Sequence, residues 1–145
     1  TTLFRSYYLS EKGVDLHKAE SMSYKTIKAE PNNGTYLDTY AWILFMEERY
    51  ADAKTYIDQA LKNRDSTVDN STVLEHAGDI YYMNGMADES VDFWKKAYTG
   101  ENQTEVLAWK IKNRQYITEE ELKKRNAPKQ KPAATKKSVR KGKKK

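Results

Sequence analysis

What most constrains this chain is a recurrence. Ala19 and Ala53 stand 34 residues apart, each three residues after a core candidate, Leu16 and Tyr50. Ala53 and Ala60 stand 37 residues before Ser90 and Ala97, so the second interval is the first plus three. A period of this size belongs to a supersecondary unit that cannot bury its apolar face alone and does so by stacking on copies of itself. The three extra residues fit the polar run Asn63 to Ser71, a turn-rich segment where lengthening a loop costs little.

Within each cycle the apolar spacing is helical. Leu37, Tyr40, Ala41, Leu44 and Phe45 follow i, i+3, i+4, i+7, i+8, and Leu74, Ala77, Gly78, Tyr81 and Tyr82 repeat that rhythm. Each cycle therefore holds two helices, the second members running from Asp15 to Ala29, Tyr50 to Lys62 and Ala87 to Tyr98. Pro31-Asn32-Asn33-Gly34 stops one helix, Asn70-Ser71 can cap another, and Asn84-Gly85 supplies a tight turn inside the third pair. Since no stretch alternates with period two, the fold class is all-α. Glu105 to Gln115 fits a terminal capping helix, with Leu107 and Ile111 pointing one way and Lys110, Lys112 and Arg114 elsewhere. Thr118-Glu119-Glu120-Glu121 reads as a capping box that starts one short helix before Pro128.

These residues resemble the tetratricopeptide repeat. The resemblance rests on Leu74-x2-Ala77-Gly78-x2-Tyr81-x3-Gly85 followed by Trp94-x2-Ala97, and on Leu37-x3-Ala41-x2-Leu44 followed by Ala53-x6-Ala60. It implies an α-solenoid of stacked helix-turn-helix pairs, with a first, incomplete repeat over 7–31, a second over 32–68, a third over 69–100 and a cap over 101–117. A short helix and a disordered Lys-rich tail then occupy 118–145. Thr1 to Ser6 resemble the translation of a sequencing adapter and are set aside as non-native. The segment Glu30 to Trp42 is similar to the C-terminal part of longer bacterial proteins of this family, which implies missing upstream repeats. Three positions depart from the pattern: Ser90 and Thr26 replace Ala, and Glu48 replaces the turn Gly of the middle repeat.

The net charge of +5 conceals two opposite halves. Residues 1–121 carry 14 Lys/Arg against 21 Asp/Glu, whereas residues 122–145 carry 12 Lys/Arg and no acid. There is no Cys, hence no disulfide framework and no thiolate site. No apolar run approaches the ~18 residues a membrane-spanning helix needs, and the sequence assigns no compartment. A Gly-rich phosphate loop, a nucleophile elbow and a His-Glu-x-x-His motif are all missing, so neither an enzyme nor a cofactor is expected. Glu75, His76 and Asp79 give one His with two carboxylates, too few for zinc, and read as a solvated helix face. His17 reads as a surface residue.

The resemblance directs attention to a groove instead. In that architecture the first helices of successive pairs line a concave surface, and the ligand-facing positions fall on Tyr8, Glu11 and Lys12, on Asp38, Trp42, Phe45 and Met46, and on Glu75, Asp79, Tyr82 and Met83. Phe45 and Tyr82 read as core between repeats. Trp42 and Asp38 lie off the Leu37-Tyr40-Leu44 stripe, so Trp42 is expected to be an exposed anchor for a protein or peptide partner. Chaperone-binding members of the family clamp a terminal carboxylate with Lys and Asn. Here Asp38, Glu75 and Asp79 would repel an acidic peptide and favour a basic or aromatic one. The tail, with Lys136, Lys137, Arg140, Lys141, Lys143, Lys144 and Lys145, supports a second expectation, attachment to nucleic acid or another anionic surface by counterion release. A third is that this tail lies over the acidic groove.

Overall fold

The computed structural model describes residues 15–128, which form seven α-helices and one 3-10 turn and contain no strand. We number the helices α1 (Leu16–Ala29), α2 (Gly34–Met46), α3 (Tyr50–Lys62), α4 (Ser71–Met83), α5 (Ala87–Ala97), α6 (Glu105–Asn113) and α7 (Glu119–Asn126), the 3-10 turn being Gly100–Asn102. The all-α expectation holds. The most extensive contacts join α2 to α3 and α4 to α5, the two complete hairpins; α1 packs on α2, α3 on α4, α5 on α6, and α2 also meets α4.

Helix ends follow local chemistry. Asn33 caps α2 by accepting the Tyr36 N–H at 3.0 Å, Thr104 accepts the Leu107 N–H at 3.2 Å for α6, and Thr118 with Glu121 forms the full capping box of α7. The expected cap at Asn70 is not made. Asp69 accepts the Ser71 N–H at 2.9 Å, and Asn70 instead donates to the carbonyls of Asp65 and Val68 at 2.9 and 3.1 Å, which closes the inserted loop on itself. The terminal helix stops at Asn113, short of the expected Gln115, because Arg114 turns into the left-handed region at φ 55°.

The three departures from the repeat pattern are accommodated. Ser90 is fully buried, and its hydroxyl donates to its own helix at the Ala87 carbonyl, 2.9 Å away; Thr26 does the same at the Ser23 carbonyl, at 2.6 Å. Each hydroxyl is thus satisfied without a partner from the opposite helix. Glu48 adopts φ 64°, the left-handed turn that Gly85 takes at φ 80° in the next hairpin, and so carries backbone strain that a glycine avoids.

Close approach inside the second hairpin depends on Gly78. A Cβ there would overlap the Trp94 indole and lie 3.0 Å from the Ser90 carbonyl oxygen. Trp94, fully buried, joins Val91, Ala97 and Leu107 in one apolar cluster, while the other is built on Leu37, Leu44, Ile57 and Ile80. Each Leu, Ile or Val among them contributes about 1.5–3 kcal/mol when fully buried.

Candidate functional site

Helices α2, α4 and α6 present their side chains toward a shared hollow of about 350 Å³. It is lined by Trp42 and Met46 from α2, by Thr72, Glu75, His76 and Asp79 from α4, and by Val106 and Lys110 from α6. Residues 116–118, which join α6 to α7, and Glu119 at the start of α7 close one side. Within this strap Ile117 is buried, and the Tyr116 ring meets Phe45 edge to face at 5.6 Å between centroids.

The expected exposed anchor is not exposed. Trp42 retains only 7% of its surface, stacked on Phe45 at 4.5 Å and on His76 at 4.1 Å. The reason lies in α2, where every residue from Thr39 to Phe45 is buried: this stretch packs among α1, α3 and α4, with Phe45 against Tyr116, so its side chains are covered all round. Phe45 is core, as expected.

His76 likewise is not on a solvated face. It shares the i, i+3, i+4, i+7 stripe of Val73, Ala77 and Ile80, all buried, and that spacing could have revealed it. Its Nδ1 lies 2.8 Å from Asp38 Oδ1; because an ionised carboxylate only accepts, Nδ1 carries the proton. Burial would lower the imidazole's pKa, but Asp38, with smaller help from Asp79 and Glu75, outweighs it and holds the value above the ordinary one.

Asp79 is a correction too. Only 3% exposed, it faces inward, accepting the Trp94 indole N–H at 2.9 Å and the Lys110 ammonium at 2.8 Å on the same oxygen. Lys110, expected on the polar side of the cap, is 2% exposed and bridges Asp79 to Glu75 Oε2, the latter at 2.9 Å. It follows Leu107 by three, so both share one face. Burial pushes the Asp79 carboxyl upward against the opposing pull of Lys110. For Lys110 burial acts downward, and the two carboxylates outweigh it, keeping the amine charged.

Of the remaining groove positions, Met46 is half-buried in the lining and Glu75 keeps a partly accessible carboxylate, also reached by Asn102 at 3.4 Å. Tyr82 is half-buried against the Trp94 cluster, and Met83, 36% exposed, lies outside the hollow lining. Asp38 borders a second hollow of about 460 Å³, between the Asn32–Thr35 turn and the loop carrying Asp65 and Asp69. Tyr8, Glu11 and Lys12, and the tail residues Lys136 to Lys145, lie outside the described residues. Sequence reasoning missed Lys110, Tyr116 and the strap; nothing in the repeat pattern marks a segment beyond the cap as lining this hollow. Among the described residues no helix is long and apolar enough to cross a membrane, and no group of three or more His, Cys, Asp or Glu could hold a metal ion.

No family model matches the sequence, and neither does any curated protein. Solved structures do match. The N-terminal domain of stress-induced protein-1 (STI-1) from C. elegans aligns with a TM-score of 0.58 at 19% identity, over 77% of this chain and 93% of that one. The TPR2AB domain of yeast Sti1, solved as a complex with pHSP90, aligns with a TM-score of 0.60 at 20% identity, over 97% of this chain and 55% of the other. At such identities the likeness is one of fold: stacked helical hairpins in the same arrangement.

Proposed function

We propose, from the tetratricopeptide-type α-solenoid that this chain forms, that it is a protein-interaction module that holds a polypeptide segment on the concave face of α2, α4 and α6. The observation that carries this reading is the hollow itself, where Met46, Thr72 and Glu75 border an accessible space while the acid-base groups beside them are tied to one another. His76 is spent on Asp38, and Asp79 on Trp94 and Lys110, which supports recognition rather than chemistry. Because Trp42 is buried, the accessible contacts are those of Met46, Glu75 and the strap, and Trp42 shapes the floor beneath them.

The test is selection of peptides from a random library on the immobilised chain. Selected peptides should bind the native protein and lose about tenfold or more on Met46→Glu, which places a charge in the hollow, while Tyr24→Ser, at an exposed position of α1 outside the hollow lining, leaves binding intact. Peptides that bind both variants equally, or a library that yields none, would refute the concave-face reading.

A second reading keeps the Lys-rich residues 122–145, with twelve positive charges and no negative one, as an attachment to nucleic acid or an anionic membrane surface. Affinity for single-stranded RNA or anionic vesicles should then fall steeply with salt and vanish when residues 129–145 are removed. Binding that is unchanged by that deletion sinks it.

A further inference from the structure

The strap, residues 114–118, begins where Arg114 ends α6 in the left-handed region at φ 55°, a conformation that strains a residue carrying a Cβ. From that turn the chain reaches back to α2. The Tyr116 ring meets Phe45 of α2 at 5.6 Å between centroids and lies 5.6 Å from the Lys110 ammonium of α6, and Ile117 beside it is buried. An aromatic and a branched aliphatic side chain, adjacent in sequence, thus sit on the wall of the hollow between α2, α4 and α6.

The hold on this segment is light. Among the described residues α7, which the strap leads into, has no extensive packing on another helix; Leu122 is its one buried residue, and Arg125 lies over the Trp109 ring at 5.4 Å. Arg114 pairs with Asp88, but both side chains are exposed, and a surface pair of that kind contributes little. The strap also leaves space beneath it: Tyr116, Ile117 and Thr118 border the open 350 Å³ instead of filling it. Glu119 then brings a third carboxylate to a lining that holds Glu75 and Asp79, which opposes closure. A strained entry, few anchors and like charge at the far end are the properties of a cover that can be displaced.

We propose that the strap is an intramolecular stand-in for the partner, and that a partner segment displaces it by offering the same pair of side chains, an aromatic residue followed by a branched aliphatic one, to Phe45 and to the surface that Ile117 covers. This rests on the concave-face reading above and adds to it the regulation of that site and the residue pair selected. A partner finds the wall free in the fraction of molecules whose strap is lifted, so its apparent affinity is lowered in proportion to that fraction. The strap competes at the high effective concentration of a tethered segment.

The probe is fluorescein-Arg-Gln-Tyr-Ile-Thr-Glu-amide, the sequence of residues 114–119, titrated against the full chain and followed by fluorescence anisotropy; a control peptide carries Ser in place of Tyr and Ile. The full chain with Tyr116→Ser and Ile117→Ser loses its tethered competitor and should bind the probe about fivefold or more tighter than the native chain, while the control peptide binds neither. Arg114→Gly relaxes the left-handed turn, favours the closed strap and should bind the probe more weakly than the native chain. Its side chain is exposed, so this variant reads the cover even where loss of Ile117 destabilises the first one. A gain smaller than that in the serine variant, a control bound as well as the probe, or binding to Arg114→Gly as tight as to the native chain overturns the cover. The two proposals fail separately: library peptides that lose affinity on Met46→Glu yet bind the serine variant and the native chain equally remove the cover and leave the interaction module standing.

Discussion

Replacing Lys110 by Met keeps the length of the side chain and removes its charge, which isolates the electrostatic role of the bridge between α6 and α4. In the native protein the ammonium lies 2.8 Å from Asp79 Oδ1 and 2.9 Å from Glu75 Oε2, with Asp79 3% exposed. The variant leaves Asp79 with the Trp94 indole as its donor, and breaking a buried pair in this way costs about 3–5 kcal/mol. Glu75 adds little, since it keeps some contact with water and with Asn102. An escape limits the cost: Asp79 can take up a proton, and holding a carboxyl with an ordinary pKa of ~3.9 neutral at pH 7 costs about 4 kcal/mol. The same sum at pH 5 gives about 1.5 kcal/mol. The expected loss is therefore about 3 kcal/mol at pH 7, shrinking to about half at pH 5. The sign is that of a carboxyl whose folded pKa is raised: the variant recovers stability as pH falls. Urea unfolding followed by far-UV circular dichroism at both pH values measures this, with an unchanged slope certifying the two-state comparison. Asp79→Asn in the same chain should return more than half of the loss. A cost below 1 kcal/mol at pH 7, a cost equal at the two pH values, or no recovery in the double variant would refute the reasoning.

Three further perturbations read other parts of the fold. Gly78→Ala forces a methyl into the Trp94 indole and should cost about 1–3 kcal/mol in urea unfolding, with near-ultraviolet circular dichroism reporting the displaced tryptophan; full stability would mean that the hairpin is looser than described. Glu48→Gly relieves a left-handed backbone at φ 64° and should raise stability by about 0.5–1 kcal/mol, so a lower melting temperature contradicts the strain. The raised pKa of His76 means that its contribution to stability is present below the ordinary histidine value and is lost as pH rises through the folded one. His76→Gln should flatten that part of the stability profile, and a profile of unchanged slope would remove His76 from the account.

The solenoid was legible in the sequence because its cause is local and periodic. Leu37-Tyr40-Ala41-Leu44 and Leu74-Ala77-Gly78-Tyr81 write two helix faces directly into the chain, and the bounds of α3, Tyr50–Lys62, follow from the same spacing. Gly85 and the Thr118–Glu121 box needed nothing beyond their neighbours to set a turn and a helix start. The site was legible only in outline. Trp42, Met46, Glu75 and Asp79 fall on α2 and α4, but whether a side chain on those helices is exposed depends on what covers it, and that is a property of distant segments. Trp42 is covered by His76 of α4 and by Phe45, whose own ring meets Tyr116, 74 positions after Trp42; Asp79 turns inward because Lys110 and Trp94 arrive from two other helices. Local spacing decides that helices form and which residues share a face, since backbone geometry and solvent preference act within a few residues. The tertiary structure alone decides which charged groups on a shared face meet each other and which still meet water, because desolvation is set by neighbours that the chain brings in from afar.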